Sequence, residues 1–145
     1  MAAAESTAQA IWEGDLAHGG GRVSPGSGAF GEQEVTWASR TRRTAGKTSP
    51  EELIAAAHAA CFAMAFSNTL SEAGHAPERL EVSAKATFDP DAGGITTMDL
   101  DVRGRVPGMD EAEFLQAAEQ ADQGCPVSGA LRGNVEIRLS ATLES

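Results

Sequence analysis

Positive charge is scarce in this chain. Eleven Lys and Arg stand against 21 Asp and Glu, a formal net charge of -10 at pH 7. A surface this acidic repels phosphate backbones and anionic lipid, so neither nucleic acid nor membrane is an expected partner. Cysteine is nearly absent: 145 residues hold only Cys61 and Cys125. In a reducing compartment a permanent disulfide is not expected, which leaves two inert buried thiols or a redox pair. Zinc asks for about four ligands in tight local pairs, whereas here C-x-x-C is lacking and His18, His58 and His75 are scattered. No metal site is expected. The most apolar run, Leu53 to Phe66, is interrupted by His58 and falls short of the roughly 20 residues that cross a bilayer. Met1-Ala2-Ala3-Ala4-Glu5 carries no basic segment leading into an apolar one, so a cytoplasmic location is expected. Repeats, heptads and linker-like stretches are missing as well. With 41% hydrophobic residues, one globular domain spanning residues 1–145 is the expectation.

What is present divides by hydrophobic period. Residues 8–13 read as a first strand, and the glycine-rich stretch Gly19 to Gly28 reads as a hairpin connection. A second strand is expected over Gln33 to Ala38, followed by a basic loop, Arg40-Thr41-Arg42-Arg43. A long helix is predicted over 50–73. Ser49 suits its cap, Pro50 its first position, and Glu51 and Glu52 its first turn, with Ser49 and Glu52 at capping-box spacing; Gly74 ends it. Between Leu53 and Phe66 this helix is apolar all round, which predicts burial on every side. One sheet covers one face, so something else must cover the other.

Alternation of period two then predicts strands over 80–88, 98–106 and 135–143. A helix is expected over 110–123 with Phe114, Leu115, Ala118 and Ala121 as its apolar stripe. Gly124-Cys125-Pro126 breaks it and opens a short helix to Leu131. An antiparallel sheet with one wet face and helices on the other is an α+β domain.

Cys61, flanked by Ala60 and Phe62, reads locally as a small core hydrophobe. Cys125 sits at a helix start, where backbone N–H groups favour a thiolate, or simply fills a tight turn. Neither is decisive alone. Together, Pro50-Glu51-Glu52-Leu53-Ile54-Ala55-Ala56-Ala57-His58-Ala59-Ala60-Cys61-Phe62 and Gly124-Cys125-Pro126-Val127-Ser128 resemble the OsmC/Ohr family of organic hydroperoxide reductases, nearer its OsmC branch. The resemblance runs from Trp12-Glu13-Gly14 to the last strand. It implies an OsmC-like fold, with antiparallel sheets around a long buried central helix, in an intertwined homodimer. The implied activity is that of a thiol peroxidase without metal, haem or other cofactor.

The resemblance further implies that Cys61 is the peroxidatic thiolate and Cys125 the resolving thiol, with Glu51 the family acid. The family arginine falls on Arg40, with Arg42 and Arg43 beside it and Arg22 as the position used in the Ohr branch. Organic hydroperoxides are the implied substrates and a dithiol of lipoyl type the implied reductant.

The chemistry accounts for these residue types. Burial alone raises a thiol pKa, so a buried reactive cysteine needs a cation. A guanidinium also stabilises the alkoxide that develops as the peroxide bond breaks, and a carboxylate orients the guanidinium. Ten residues of helix separate Glu51 from Cys61 by about 15 Å. Two copies crossing antiparallel bring Glu51 of one towards Cys61 of the other, which predicts shared sites at a homodimer interface. His58, three residues before Cys61 on a similar face, reads as a hydrogen-bonded buried histidine outside the catalytic set. Phe62, Met64, Phe66 and Ile54 read chiefly as core, and Met109 as a candidate for the rim of an apolar substrate pocket. Two alternatives are a non-enzymatic stress or interaction protein on the same fold and a thiol hydrolase that uses Cys61 alone. The paired cysteines favour the peroxidase.

Overall fold

The computed structural model describes residues 2–43 and 45–144. The chain forms two compact units, divided between Pro50 and Glu51.

The first unit is a three-stranded antiparallel sheet with a short helix. Strands β1 (Ala8–Glu13), β2 (Gly20–Pro25) and β3 (Gln33–Val35) pair in that order. Most of the stretch read as a hairpin connection, Gly20–Pro25, is therefore itself a strand, while Gly26 to Gly28 does turn, with Gly28 at φ 73° and its N–H donating to the Pro25 carbonyl at 3.2 Å. Within the strand, Gly21 marks close approach rather than a turn: a Cβ on it would lie 2.7 Å from the Ile11 carbonyl oxygen and from a Trp12 ring carbon. The strand expected over Gln33 to Ala38 stops at Val35. Thr36 caps helix α1 (Trp37–Arg42), accepting from the Ser39 N–H while the Ser39 hydroxyl accepts from the Thr36 N–H. This Thr-x-x-Ser box turns the predicted basic loop into the last turn of a helix. Arg43 ends it in the left-handed region at φ 59° and donates to Ser49 Oγ at 2.7 Å.

The second unit holds the core. Helix α2 (Pro50–Glu72) leads to strands β4 (Arg79–Asp89) and β5 (Gly94–Arg105), helices α3 (Glu111–Gly124) and α4 (Pro126–Leu131), and strand β6 (Glu136–Leu143). The sheet order is β4-β5-β6. β4 and β5 are antiparallel, but β6 runs parallel to β5, so this sheet is mixed where an antiparallel one was expected. The reason is the connection: two helices intervene between β5 and β6 and carry the chain back to the starting end, as a parallel pair requires.

β5 is central, and its Met98, Leu100 and Val102, with Val106 just beyond its end, join one buried cluster with Phe62, Phe66 and Leu70 of α2 and Phe114, Ala117, Ala118 and Ala121 of α3. The Phe66 ring lies 5.6 Å from Phe62 and 5.0 Å from Phe114, both tilted, an arrangement aromatic pairs favour. Asp110 caps α3 in a box with Glu113. Leu115, expected in the stripe, is exposed, and Ala117 takes its place.

α2 departs most from expectation. Within this chain it buries a single stripe, Glu51, His58, Phe62, Phe66 and Leu70, while Ala56, Ala57, Ala60 and Met64 are exposed. Met64, read as core, is 70% exposed. At 23 residues α2 is long and apolar enough by length and composition to cross a membrane. Its buried stripe joins the core cluster, as in the core helix of a folded domain.

Gly104 sits beneath Phe114, where an added Cβ would meet two ring carbons at 2.5 Å. Gly104→Ala is expected to cost about 1–3 kcal/mol, seen as a lower urea midpoint with an unchanged slope.

Candidate functional site

α2 and α4 meet through side chains on their facing turns. Cys61 lies at mid-length on α2. Cys125 is at once the last cap of α3 and the N-cap of α4, with Pro126 at the first helical position as expected. The Cys61 and Cys125 sulfurs are 3.5 Å apart and both are free thiols. Cys125 is buried and Cys61 partly so. The contact spans 64 residues of sequence and unites the two positions that the sequence motifs singled out.

Three influences act on Cys61. Burial pushes its thiol up and the neighbouring Cys125 adds to this, while the Val127 backbone N–H pulls it down by hydrogen bonding to the sulfur. Val127 belongs to the first turn of α4, so this turn delivers both the second sulfur and a donor to the first. The resting pair thus holds Cys61 as a thiol, and a reactive thiolate requires added positive charge.

One turn back on α2, His58 is fully buried and its Nε2 lies 2.7 Å from Ser128 Oγ. Ser128 donates to Asp122 Oδ1 at 2.6 Å. Asp122 in turn accepts from Arg132 at 3.2 Å. Desolvation lowers the His58 pKa, opposed by the Asp122 charge. His58 is therefore the hydrogen-bonded buried histidine expected. Ser128 and Asp122 were assigned no role from the sequence, although Cys-x-x-Ser spacing puts Ser128 one helical turn from Cys125.

The remaining candidates are placed as follows. Arg40 is in the last turn of α1, its guanidinium carbon 5.9 Å from the centre of the Trp37 ring, within cation–π range. Arg42 is exposed on the same helix, and Arg43 is held by Ser49. Arg22, on β2, pairs with Glu32 at 3.5 Å. Glu51 is buried in the first turn of α2. Met109 lines clefts with Arg105 and Glu144 and with His75 and Glu113, and neither cysteine is among the residues lining those two clefts. Among the described residues no three His, Cys, Asp or Glu side chains converge as a metal ion would need.

Residues 43–140 match the model of the family described as OsmC-like protein. Over 139 residues the chain is 44% identical to the Peroxiredoxin OsmC of Escherichia coli K12, covering 94% of this chain and 95% of that one. It is 36% identical over 98 residues to the organic hydroperoxide resistance protein of Xanthomonas axonopodis pv. citri, covering 64% of this chain and 66% of the relative. The crystal structure of an organic hydroperoxide resistance protein OsmC from Legionella pneumophila superposes with a TM-score of 0.71 at 25% identity, over 97% of this chain and 99% of that one.

Two outcomes follow from the titrating groups. Cys125→Ala removes one of the influences that raise Cys61, so the pH midpoint of Cys61 alkylation by iodoacetamide should fall relative to wild type. For His58, the folded pKa lies below the ordinary 6.5, so the unfolded chain binds this proton first. Its contribution to stability is complete above pH 6.5 and is lost as the pH falls through the depressed folded value. The urea midpoint should drop on acidification from about pH 7.5 to 5.5, and less so in His58→Gln.

Proposed function

The chain belongs to the OsmC-like protein family, and on that premise we propose that it is a cysteine-based peroxidase that reduces organic hydroperoxides to alcohols in defence against peroxide stress. The observation that carries this reading is the 3.5 Å approach of Cys61 and Cys125. A disulfide needs sulfurs at about 2.05 Å, so bond formation requires only a small further approach.

In this reading the Cys61 thiolate attacks one peroxide oxygen. The O–O bond breaks, the alkoxide leaves and takes up a proton, and Cys61 becomes a sulfenic acid. Cys125 attacks that sulfur, hydroxide departs as water with the Cys125 proton, and a disulfide remains. An external dithiol resets it by exchange. Because burial raises the Cys61 pKa, the cycle needs a cation, and we assign that role to Arg40 with Glu51 as the carboxylate that orients it. The guanidinium stabilises first the thiolate and then the departing alkoxide. We assign the working form to a homodimer in which a second copy covers the exposed Ala56, Ala57, Ala60 and Met64 of α2. Large exposed apolar faces on a soluble chain mark such partners. Antiparallel crossing of two α2 helices lets each subunit contribute to the site of the other.

Treatment with one equivalent of cumene hydroperoxide should remove both free thiols and lower the intact mass by two hydrogens. Cys61→Ser should abolish peroxide consumption. Cys125→Ser should consume one equivalent to leave sulfenic acid at Cys61, and a second equivalent should carry that sulfur on to sulfinic acid. Arg40→Ala should slow the first step by about 10²-fold. Unchanged thiols in the wild-type protein after peroxide would refute the assignment.

A further inference from the structure

His58, Ser128 and Asp122 have no place in that reaction, yet they form a continuous chain beside the sulfurs. His58 and Ser128 are both 0% exposed. The single Ser128 hydroxyl proton goes to Asp122 Oδ1, so Ser128 Oγ must accept from His58, and the ring carries its proton on Nε2. The other ring nitrogen, Nδ1, is buried and has no hydrogen-bond partner among the described residues. The imidazole is therefore anchored through Nε2. A buried ring with one unpartnered nitrogen is a costly way to fill a core position, and an apolar side chain would fill it at less cost.

The geometry points to what the histidine does there. His58 meets Ser128 and Cys61 meets Cys125, three residues further along α2 and three residues earlier on α4. The two contacts are successive rungs between antiparallel helical segments, about 4.5 Å apart along each. The polar rung is the directional one, since a hydrogen bond fails once its partners slide out of line. Arg132, which follows α4, binds the carboxylate and the backbone carbonyl of Asp122 in the last turn of α3, so the same chain ties α3 to α4.

We propose that His58 and Ser128 are positioning residues that set the register of α4 on α2, and so hold Cys125 at bonding approach to Cys61 and the Val127 N–H against the Cys61 sulfur. This rests on reading Cys61 and Cys125 as a redox pair. A slip of α4 by one turn would leave the sulfurs apart while the apolar contacts of Val127 and Leu131 could still be made.

The test is the equilibrium of the thiol pair with a glutathione buffer, read by intact mass after acid quench. One S–S bond forms in the protein and one breaks in oxidised glutathione, whose two halves take the two thiol protons. Ser128→Ala and His58→Met should each lower the equilibrium constant for disulfide formation by about ten-fold. His58→Gln, which keeps a donor near the Nε2 position, should stay near wild type. Asp122→Ala lies nearer the surface and should give an intermediate loss, which keeps the comparison available if a core variant does not fold. Wild-type equilibria in Ser128→Ala or, failing that, in Asp122→Ala, accompanied only by lower melting temperatures, would overturn the proposal. So would a His58→Gln value as low as that of His58→Met. The buffer contains no peroxide, so a wild-type protein that equilibrates with glutathione but ignores cumene hydroperoxide would refute the peroxidase reading and leave the positioning result standing.

Discussion

The central constraint in this molecule is that two thiols meet in a place that opposes the ionisation of one of them, Cys61. Burial raises the Cys61 pKa and Cys125 raises it further, against one backbone N–H from Val127. Apolar surroundings give a sulfur pair definite geometry and protection from stray oxidants, at the cost of the thiolate that chemistry needs. The other parts of the site address one side or the other of this conflict. The α2–α4 contact supplies geometry, and in the proposed reaction an arginine would supply charge.

Geometry in turn depends on topology. α3 and α4 form the crossover between β5 and β6, which is what makes those strands parallel. Cys125 stands at the junction of the two crossover helices, and its partner lies on the helix that precedes the whole sheet. The same packing that closes Phe114 over Gly104 and against Phe66 sets the end of α3, and hence the start of α4. Core packing and site assembly are thus one process in the second unit, with no flexible arm between them.

Much of this was legible in the residues. The period-two strands, the Pro50 start of α2, the Asp110 region of α3 and the break at Gly124-Cys125-Pro126 all carry local signals strong enough to read. The failures have physical causes. Gly19 to Gly21 looked like turn chemistry because composition does not distinguish a glycine that frees the backbone from one that makes room for Trp12. The Thr36–Ser39 box escaped notice because serine replaces the usual Glu or Gln. The parallel pairing of β6 depends on where a connection lands, which no period encodes. At the site, the sulfur pair was foreseen through its motifs, whereas Ser128 and Asp122 were not, since their roles arise from a contact 70 residues away. The exposure of Met64 shows the converse: all-round apolarity in α2 reports what the helix needs covered and says nothing of which chain covers it.

The long sequence separation of the two sulfurs has one more consequence. A bond between them would tie a loop of more than sixty residues, comprising half of α2, all of β4 and β5, and α3. Restricting so large a loop lowers the entropy of the unfolded chain and would stabilise the folded state by about 4 kcal/mol. The oxidised protein should therefore be the sturdier form and the reduced one looser, so the proposed catalytic cycle would also be a cycle of mechanical tightening and release.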